Sequence, residues 1–330
     1  MIGKTAFLLL LVGLVAGVVL ALPASAGKHT RTVIRYDGAA GELPEGIAFD
    51  RRGNMYVSLA PLGQIRRYTP EGAESVFATF DMAPDALGVL GLAVDHAGNL
   101  YAAVSSGLLD TQGVWRITPD GNKERLPGSE AIFFPNALAF DAHGNLYVTE
   151  SIDGAGNGGI WRVVPGGSAE PWLHHHLLSG VENPVAPPIG ANGIVHFNGT
   201  LYVANTTKML VVSVPILRDG SAGTPAVVKR FEGSFDFLDG ITADVHGNLY
   251  PLVIGRYELV RLNPHTGEVT TLATAADGLH LPASAAFGSG MGNRQAVYIT
   301  NFAYTSLPGL PDNGPAVVRV EVGVPGWPLP

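Results

Sequence analysis

Along this chain, short apolar runs alternate with small polar turns at nearly constant intervals. The recurring unit is an apolar run, an Asp, a Gly-Asn turn and a second apolar run that opens Leu/Met-Tyr. It reads GIAFDRRGNMYVS from Gly46, GLAVDHAGNLYAA from Gly91, ALAFDAHGNLYVT from Ala137, GIVHFNGTLYVA from Gly193 and GITADVHGNLYPL from Gly240. A degenerate sixth copy, SAAFGSGMGNRQAVYIT, starts at Ser284. Such a pattern predicts two strands joined by a tight turn, with Gly supplying the positive φ and the Asp accepting backbone hydrogen bonds. The copies are spaced 45, 46, 56, 47 and 44 residues apart.

A third strand follows each pair (GQIRRYTPEG, GVWRITPDG, GIWRVVPGG, YELVRLNPHTG), and in most units a more polar fourth (ESVFATF, PAVVKRF, EVTTLAT). Four strands repeated at this period predict the blades of a β-propeller, and six copies predict an all-β, six-bladed ring of four-stranded antiparallel blades. The first strand of each unit, nearly all apolar, would be innermost. Tyr56, Tyr101, Tyr147, Tyr202, Tyr250 and Tyr298 share one register position and are expected to pack between blades, and Trp115 and Trp161, at equivalent places on the third strands, are expected in the core. The sixth unit runs out before its fourth strand. The spare strand lies at the other end of the chain, in HTRTVIRY (His29–Tyr36), and pairing it with the last blade would close the ring.

Composition narrows the function classes. Hydrophobic residues make up 46% of the 330 and charged residues 15%, which fits a heavily buried β protein. A net charge of −8 offers no basic face to nucleic acid. The absence of cysteine excludes thiol catalysis and thiolate metal sites. Residues 1–26 read as a cleaved export signal: Lys4, an apolar run from Ala6 to Leu22, then Ala24-Ser25-Ala26. The expectation is therefore a secreted or periplasmic propeller over 27–330, monomeric and without obligate membrane contact. An uncleaved membrane anchor is the alternative. Residues 170–190 hold the excess length of the third unit, and His174, His175 and His176 within it are expected in a surface loop or lid, since consecutive side chains of an extended segment cannot converge on one metal.

The residue just before each repeat is Glu45, Leu90, Asn136, Asn192, Asp239 and Ala283. Propeller symmetry would set these six in a ring at one mouth of the central channel. Four carry oxygen: one Glu, one Asp and two Asn. Two carboxylates and two amides suit a hard cation, Ca²⁺ above all, with another divalent cation such as Mg²⁺ as an alternative. Zinc and copper are disfavoured, because no His or Cys shares the ring. An apolar rim is expected around it, from Leu87, Leu90, Leu108, Leu109, Phe133, Phe134, Phe302, Tyr304 and Leu307, which suits a lipophilic small molecule.

These repeats and the motifs LPEGIAFD, FPNALAFD, GANGIVHF and LDGITAD resemble the six-bladed calcium-dependent hydrolases: the gluconolactonase/regucalcin family, with diisopropyl fluorophosphatase and, more distantly, the paraoxonases. The resemblance spans the chain after residue 26. It implies Glu45, Asn136, Asn192 and Asp239 as calcium ligands, with Asp239 doubling as general base or nucleophile and Asn136 and Asn192 orienting metal and substrate. This chain also departs from the pattern. The sugar-lactonase branch carries Arg and Asp where Phe134 and Ala137 stand, paraoxonases place a His at the position of Leu90, and strictosidine synthase-like proteins place a Glu at that of Ala283. The metal set carries over; the sugar acid and the His base do not. His280 is a weaker candidate for proton transfer. The reading is a secreted calcium-dependent hydrolase of a lactone or ester, or of a phosphoester. The alternative is a non-catalytic propeller, like those of NHL-type repeats, that binds protein or glycan.

Overall fold

The computed structural model describes residues 30–328 apart from 154, 156 and 234. The export signal expected over 1–26 lies outside the described residues. Strand β1 (Thr30–Arg35) is followed by five sequential blades: β2 to β5 (44–49, 55–59, 64–68, 74–79), β6 to β9 (88–94, 100–105, 113–117, 123–125), β10 to β13 (135–140, 146–150, 159–163, 169–174), β14 to β17 (191–197, 200–205, 210–215, 226–230) and β18 to β21 (238–243, 249–253, 258–262, 269–273). The sixth blade holds β22 (Pro282–Phe287), β23 (Ala296–Asn301) and β24 (Ala316–Glu321), and β1 completes it as the outer strand, antiparallel to β24. The predicted closure is present.

Burial follows the same logic. Every residue of β2 and β3 is buried, whereas outer strands such as β17 keep exposed positions. Each apolar cluster joins neighbouring blades; one runs from Ala48, Tyr56 and Ile65 of the first blade to Leu92, Leu100 and Val104 of the second. Three of the tyrosines pack edge-on to a ring of the neighbouring blade, Tyr101 to Phe140 at 5.0 Å, Tyr250 to Phe287 at 5.3 Å and Tyr298 to Phe49 at 4.8 Å, whereas Tyr56 and Tyr147 meet Phe77 and Trp172 of their own blades.

At the lower end of the channel, Gly53, Gly98, Gly144 and Gly247 take φ between 81° and 91° in the predicted turns. Each preceding Asp is fully engaged. Asp50 Oδ1 accepts from the N–H groups of Arg52 and Asn54, and Oδ2 from Asn54 Nδ2 and the Tyr56 hydroxyl. Asp141 and Asp244 repeat the arrangement with Tyr147 and Tyr250. In the degenerate sixth copy Asn293 stands in for the Asp and accepts from Tyr298.

The inner strands carry a feature that the repeat pattern does not announce. All six contain a β-bulge at the same place, between Pro44 and Ile47, Val89 and Leu92, Pro135 and Leu138, Ala191 and Ile194, Leu238 and Ile241, and Pro282 and Ala285. Two residues there face one on the second strand. The six ring positions are therefore inside the strands, each the first residue of a bulge, which is a device for re-aiming a side chain.

Candidate functional site

The bulges join each blade to the next in two ways. In three blades a hydroxyl on the second strand accepts the N–H of the bulge's second residue and donates to the ring residue's carbonyl in the next blade. Ser58 links Gly46 N (2.6 Å) to Leu90 O (2.9 Å), Thr149 links Ala137 N (2.9 Å) to Asn192 O (2.7 Å), and Thr300 links Ser284 N (2.9 Å) to Glu45 O (2.5 Å). In the other three blades the bulge's second residue is Gly91, Gly193 or Gly240, and the next inner strand approaches it directly. A Cβ on Gly193 would lie 2.4 Å from Asp239 O, a contact only glycine permits. The ring is thus stitched blade to blade.

Within it, Glu45, Asn136 and Asn192 are buried, and Asp239 is partly open to the channel. Asn136 Nδ2 donates to Ser151 Oγ (2.9 Å), which donates in turn to Ala191 O (2.7 Å). Asn192 Nδ2 donates to Thr206 Oγ1 (3.0 Å). Both amide nitrogens are committed to hydroxyls of their own blade. Glu45 Oε2 is buried with no hydrogen-bond partner among the described residues. Burial first, and then the charge of Asp239, holds Glu45 well above the usual carboxylate range. Burial pushes Asp239 up to about 8, against the opposing effect of a hydrogen bond from the Asn192 amide. The charge of Asp239 thus acts on Glu45, some two hundred residues away in sequence. Neither carboxylate has a salt bridge among the described residues.

Does the set fit a divalent ion? Among the described residues no three His, Cys, Asp or Glu side chains gather as a metal site. The ring contributes two of those types and completes itself with amides. Two carboxylates that act on each other, one buried with an orphaned oxygen and one partly buried, form a cluster that a hard cation would neutralise. The residues present fit it.

Part of the apolar rim forms as expected. Leu90 and Phe134, with Ala60, make a buried cluster against which Leu87, Ile152 and Phe302 pack. Tyr304 and Leu307 pack instead on the core between the fifth and sixth blades. Leu108, Leu109 and Phe133 are exposed, because their loops turn outward. His280 is wholly buried and engaged by backbone on both ring nitrogens, a structural role in place of proton transfer. His174 ends β13, the outer strand of its blade, and the rings of His175 and His176 lie 4.3 Å apart beyond it.

The supporting hydroxyls Ser58, Thr149, Ser151, Thr206 and Thr300 were not singled out in the sequence. Their signal is weak: a Ser or Thr near the end of some second strands. A second feature appears only in three dimensions. Below the polar ring the channel opens into a cavity of about 780 Å³ walled by all six inner strands, including Ile47, Leu92, Leu138, Ile194 and Ile241. The C-terminal segment crosses its lower mouth, with Trp327 N donating to Ala243 O (2.9 Å), Gly326 N to Arg294 O (3.0 Å), and the Trp327 ring 4.5 Å from Phe197.

No family model matches the chain, and no curated protein does. Solved structures do. The chain superposes on the luciferin-regenerating enzyme with a TM-score of 0.68 at 18% identity, over 90% of this chain and 98% of that one. A putative gluconolactonase aligns with a TM-score of 0.65 at 18% identity, over 93% and 95%. Regucalcin of Agrobacterium tumefaciens, described as a calcium-binding protein, aligns with a TM-score of 0.65 at 16% identity, over 88% and 93%. At such identities the likeness speaks for the fold. The chain has the six-bladed propeller architecture that these three structures share.

Proposed function

We propose that this chain is a hydrolase of the lactonase or esterase type, acting on a lipophilic lactone, ester or phosphoester at the upper mouth of the channel. A divalent cation, with calcium the best chemical match, would be held by Glu45, Asn136, Asn192 and Asp239. The observation that carries the reading is the buried, unpartnered Glu45 Oε2 on which a second, partly buried carboxylate acts, with no basic side chain paired to either among the described residues. Two like charges in a low-dielectric site cannot both ionise without a counter-charge. The fold shared with a calcium-binding regucalcin and a putative gluconolactonase supports the same choice.

Bound there, the cation would supply Lewis-acid polarisation of the carbonyl or phosphoryl oxygen. The chain's own residues would do the rest. Asp239 is the ring carboxylate that stays partly open, and it would take a proton from water on a side-chain oxygen. Asn136 and Asn192 cannot turn freely while Ser151 and Thr206 hold their nitrogens, so their carbonyl ends are oriented in advance. Leu90, Phe134 and Phe302 would seat the apolar part of the substrate and exclude water. The same reading has the chain exported, by way of the segment over 1–26.

Calcium titration by calorimetry, with a panel of aryl esters, γ-lactones and phosphotriesters assayed with and without EDTA, tests it. The expected result is saturable uptake of calcium and EDTA-sensitive turnover. No uptake and no turnover would leave a non-catalytic propeller that binds a partner at its face.

A further inference from the structure

The connection between β23 and β24, residues 302–315, belongs to the upper face and is tied down by two side chains from other segments. His280 Nε2 donates to Thr305 O at 2.8 Å, and Nδ1 accepts from Gly314 N at 3.0 Å. A carbonyl can only accept and an N–H can only donate, so these two contacts use Nε2 as the donor and Nδ1 as the acceptor. The Tyr257 hydroxyl accepts from Leu307 N at 2.9 Å, and its ring lies 5.1 Å from the imidazole. Asp312 Oδ1, 3.3 Å from Nδ1, and Ser306 Oγ, 3.5 Å from Nε2, complete the surroundings.

Backbone strain gathers at the same place. Five non-glycine residues among those described have positive φ, and three of them are Tyr257 (52°), Leu281 (43°) and Ala303 (46°). Each costs about 1–2 kcal/mol in the left-handed region and persists only where its surroundings over-determine it. Ala303 sits between Phe302 and Tyr304, whose rings are 5.3 Å apart. Phe302 reaches the Leu90–Phe134 cluster. Tyr304 itself packs on the core between the fifth and sixth blades and so ties Phe302 to that core.

We infer that His280 and Tyr257 are positioning residues, which latch residues 302–315 so that Phe302 is held on the Leu90–Phe134 cluster, backed by Tyr304 from the core between the fifth and sixth blades, as a fixed wall against which the apolar part of the substrate is aligned. The inference rests on the hydrolytic reading of the ring. Neither residue would touch the reacting atoms; each would act through the loop.

Three substitutions separate the contacts. Tyr257→Phe keeps the ring and loses the acceptor for Leu307. His280→Gln keeps a donor for Thr305, and His280→Asn keeps an acceptor where Nδ1 stood. Amide exchange of Leu307 and Gly314, kcat and KM for an aryl butyrate, and calcium affinity are measured on the whole chain. Tyr257→Phe should speed exchange at Leu307, and His280→Gln at Gly314, by about tenfold each, the scale of one lost hydrogen bond. KM should rise by roughly threefold to tenfold with kcat and calcium affinity within about twofold, since only substrate seating is loosened. His280→Asn should restore protection at Gly314 and much of KM. Freed amides with KM unmoved, or kcat and calcium affinity falling in step with KM, would overturn the inference. A calcium-binding, active wild type whose amides do not respond would remove the latch alone. A wild type that binds no calcium and hydrolyses nothing would sink the ring reading and the seating role with it.

Discussion

The two ends of the central channel use the same residue types for opposite purposes. At the lower end, Asp50, Asp95, Asp141 and Asp244 each stand beside an Asn and a Tyr that donate to the carboxylate, together with backbone N–H groups. Those carboxylates are satisfied within their own turn. At the upper end, Glu45 and Asp239 come from blades far apart in sequence, the charge of one acts on the other, and Glu45 Oε2 has no donor among the described residues. A carboxylate that its own hairpin satisfies holds the fold together. One that only an outside charge can satisfy is held ready for a ligand.

The largest effect should come from removing charge at the upper end. Asp239→Asn or Glu45→Gln should cut kcat/KM by about a thousandfold or more, roughly 4 kcal/mol of transition-state stabilisation, and abolish calorimetric calcium uptake. The same variants should melt no lower than wild type in EDTA, because the buried like-charge pair is gone. A lower melting temperature there would mean that the pair stabilises the apo-protein, contrary to the contrast drawn.

The pH dependence sharpens the point. An unfolded Asp titrates near about 4, whereas folded Asp239 is raised to about 8. Between those values the folded state holds a proton that the unfolded chain has released, so stability falls as pH rises through the window. In EDTA the melting temperature should drop by several degrees from about pH 4 to about pH 8. Saturating calcium should flatten that slope, since a bound cation favours the ionised pair. Lower-end carboxylates, already hydrogen bonded, cannot produce this calcium-dependent difference.

How much of this was legible in the chain? The blades were, because a Gly-Asn turn with its Asp and Tyr is local chemistry, readable within a dozen residues. The ring positions were as well, since they sit at a fixed offset from that turn. The bulges were not: Glu45 and Gly46 facing Ser58 is a fact of pairing register, and both strands must be in place before it exists. Ser151 and Thr206 were hidden for the same reason, their roles depending on which amide lies opposite. His280 was visible as a lone His but not as a latch, because its partners Thr305 and Gly314 lie more than twenty residues onward. The C-terminal crossing by Trp327 had no repeat to announce it.

The converse experiment acts at the lower end. Asp141→Ala deletes the acceptor for two N–H groups, the Asn145 amide and the Tyr147 hydroxyl. It should cost about 1–3 kcal/mol of stability, because several donors in and beside a buried turn lose their partner. The kcat/KM of the folded fraction and its calcium affinity should stay within about twofold of wild type. Loss of activity in proportion to melting temperature would mean that the two ends are mechanically one, and the division between structural and ligand-ready carboxylates would fail.

The smallest effect distinguishes orientation from charge at the upper end. Ser151→Ala leaves every ring ligand in place and removes only the hydroxyl between Asn136 Nδ2 and Ala191 O. Freed to rotate, the Asn136 amide would present its carbonyl to a cation only part of the time. Calcium affinity should fall by about threefold to tenfold, near the lower edge of what outer-shell partners of metal ligands contribute. The melting temperature in EDTA should move by only about 2 °C, for one hydrogen-bond bridge in a ring stitched at several others. Thr206→Val should do the same through Asn192. If either variant bound calcium as tightly as wild type, the hydroxyls would be only part of the blade-to-blade stitching, and Asn136 and Asn192 would owe their orientation to the bulges alone.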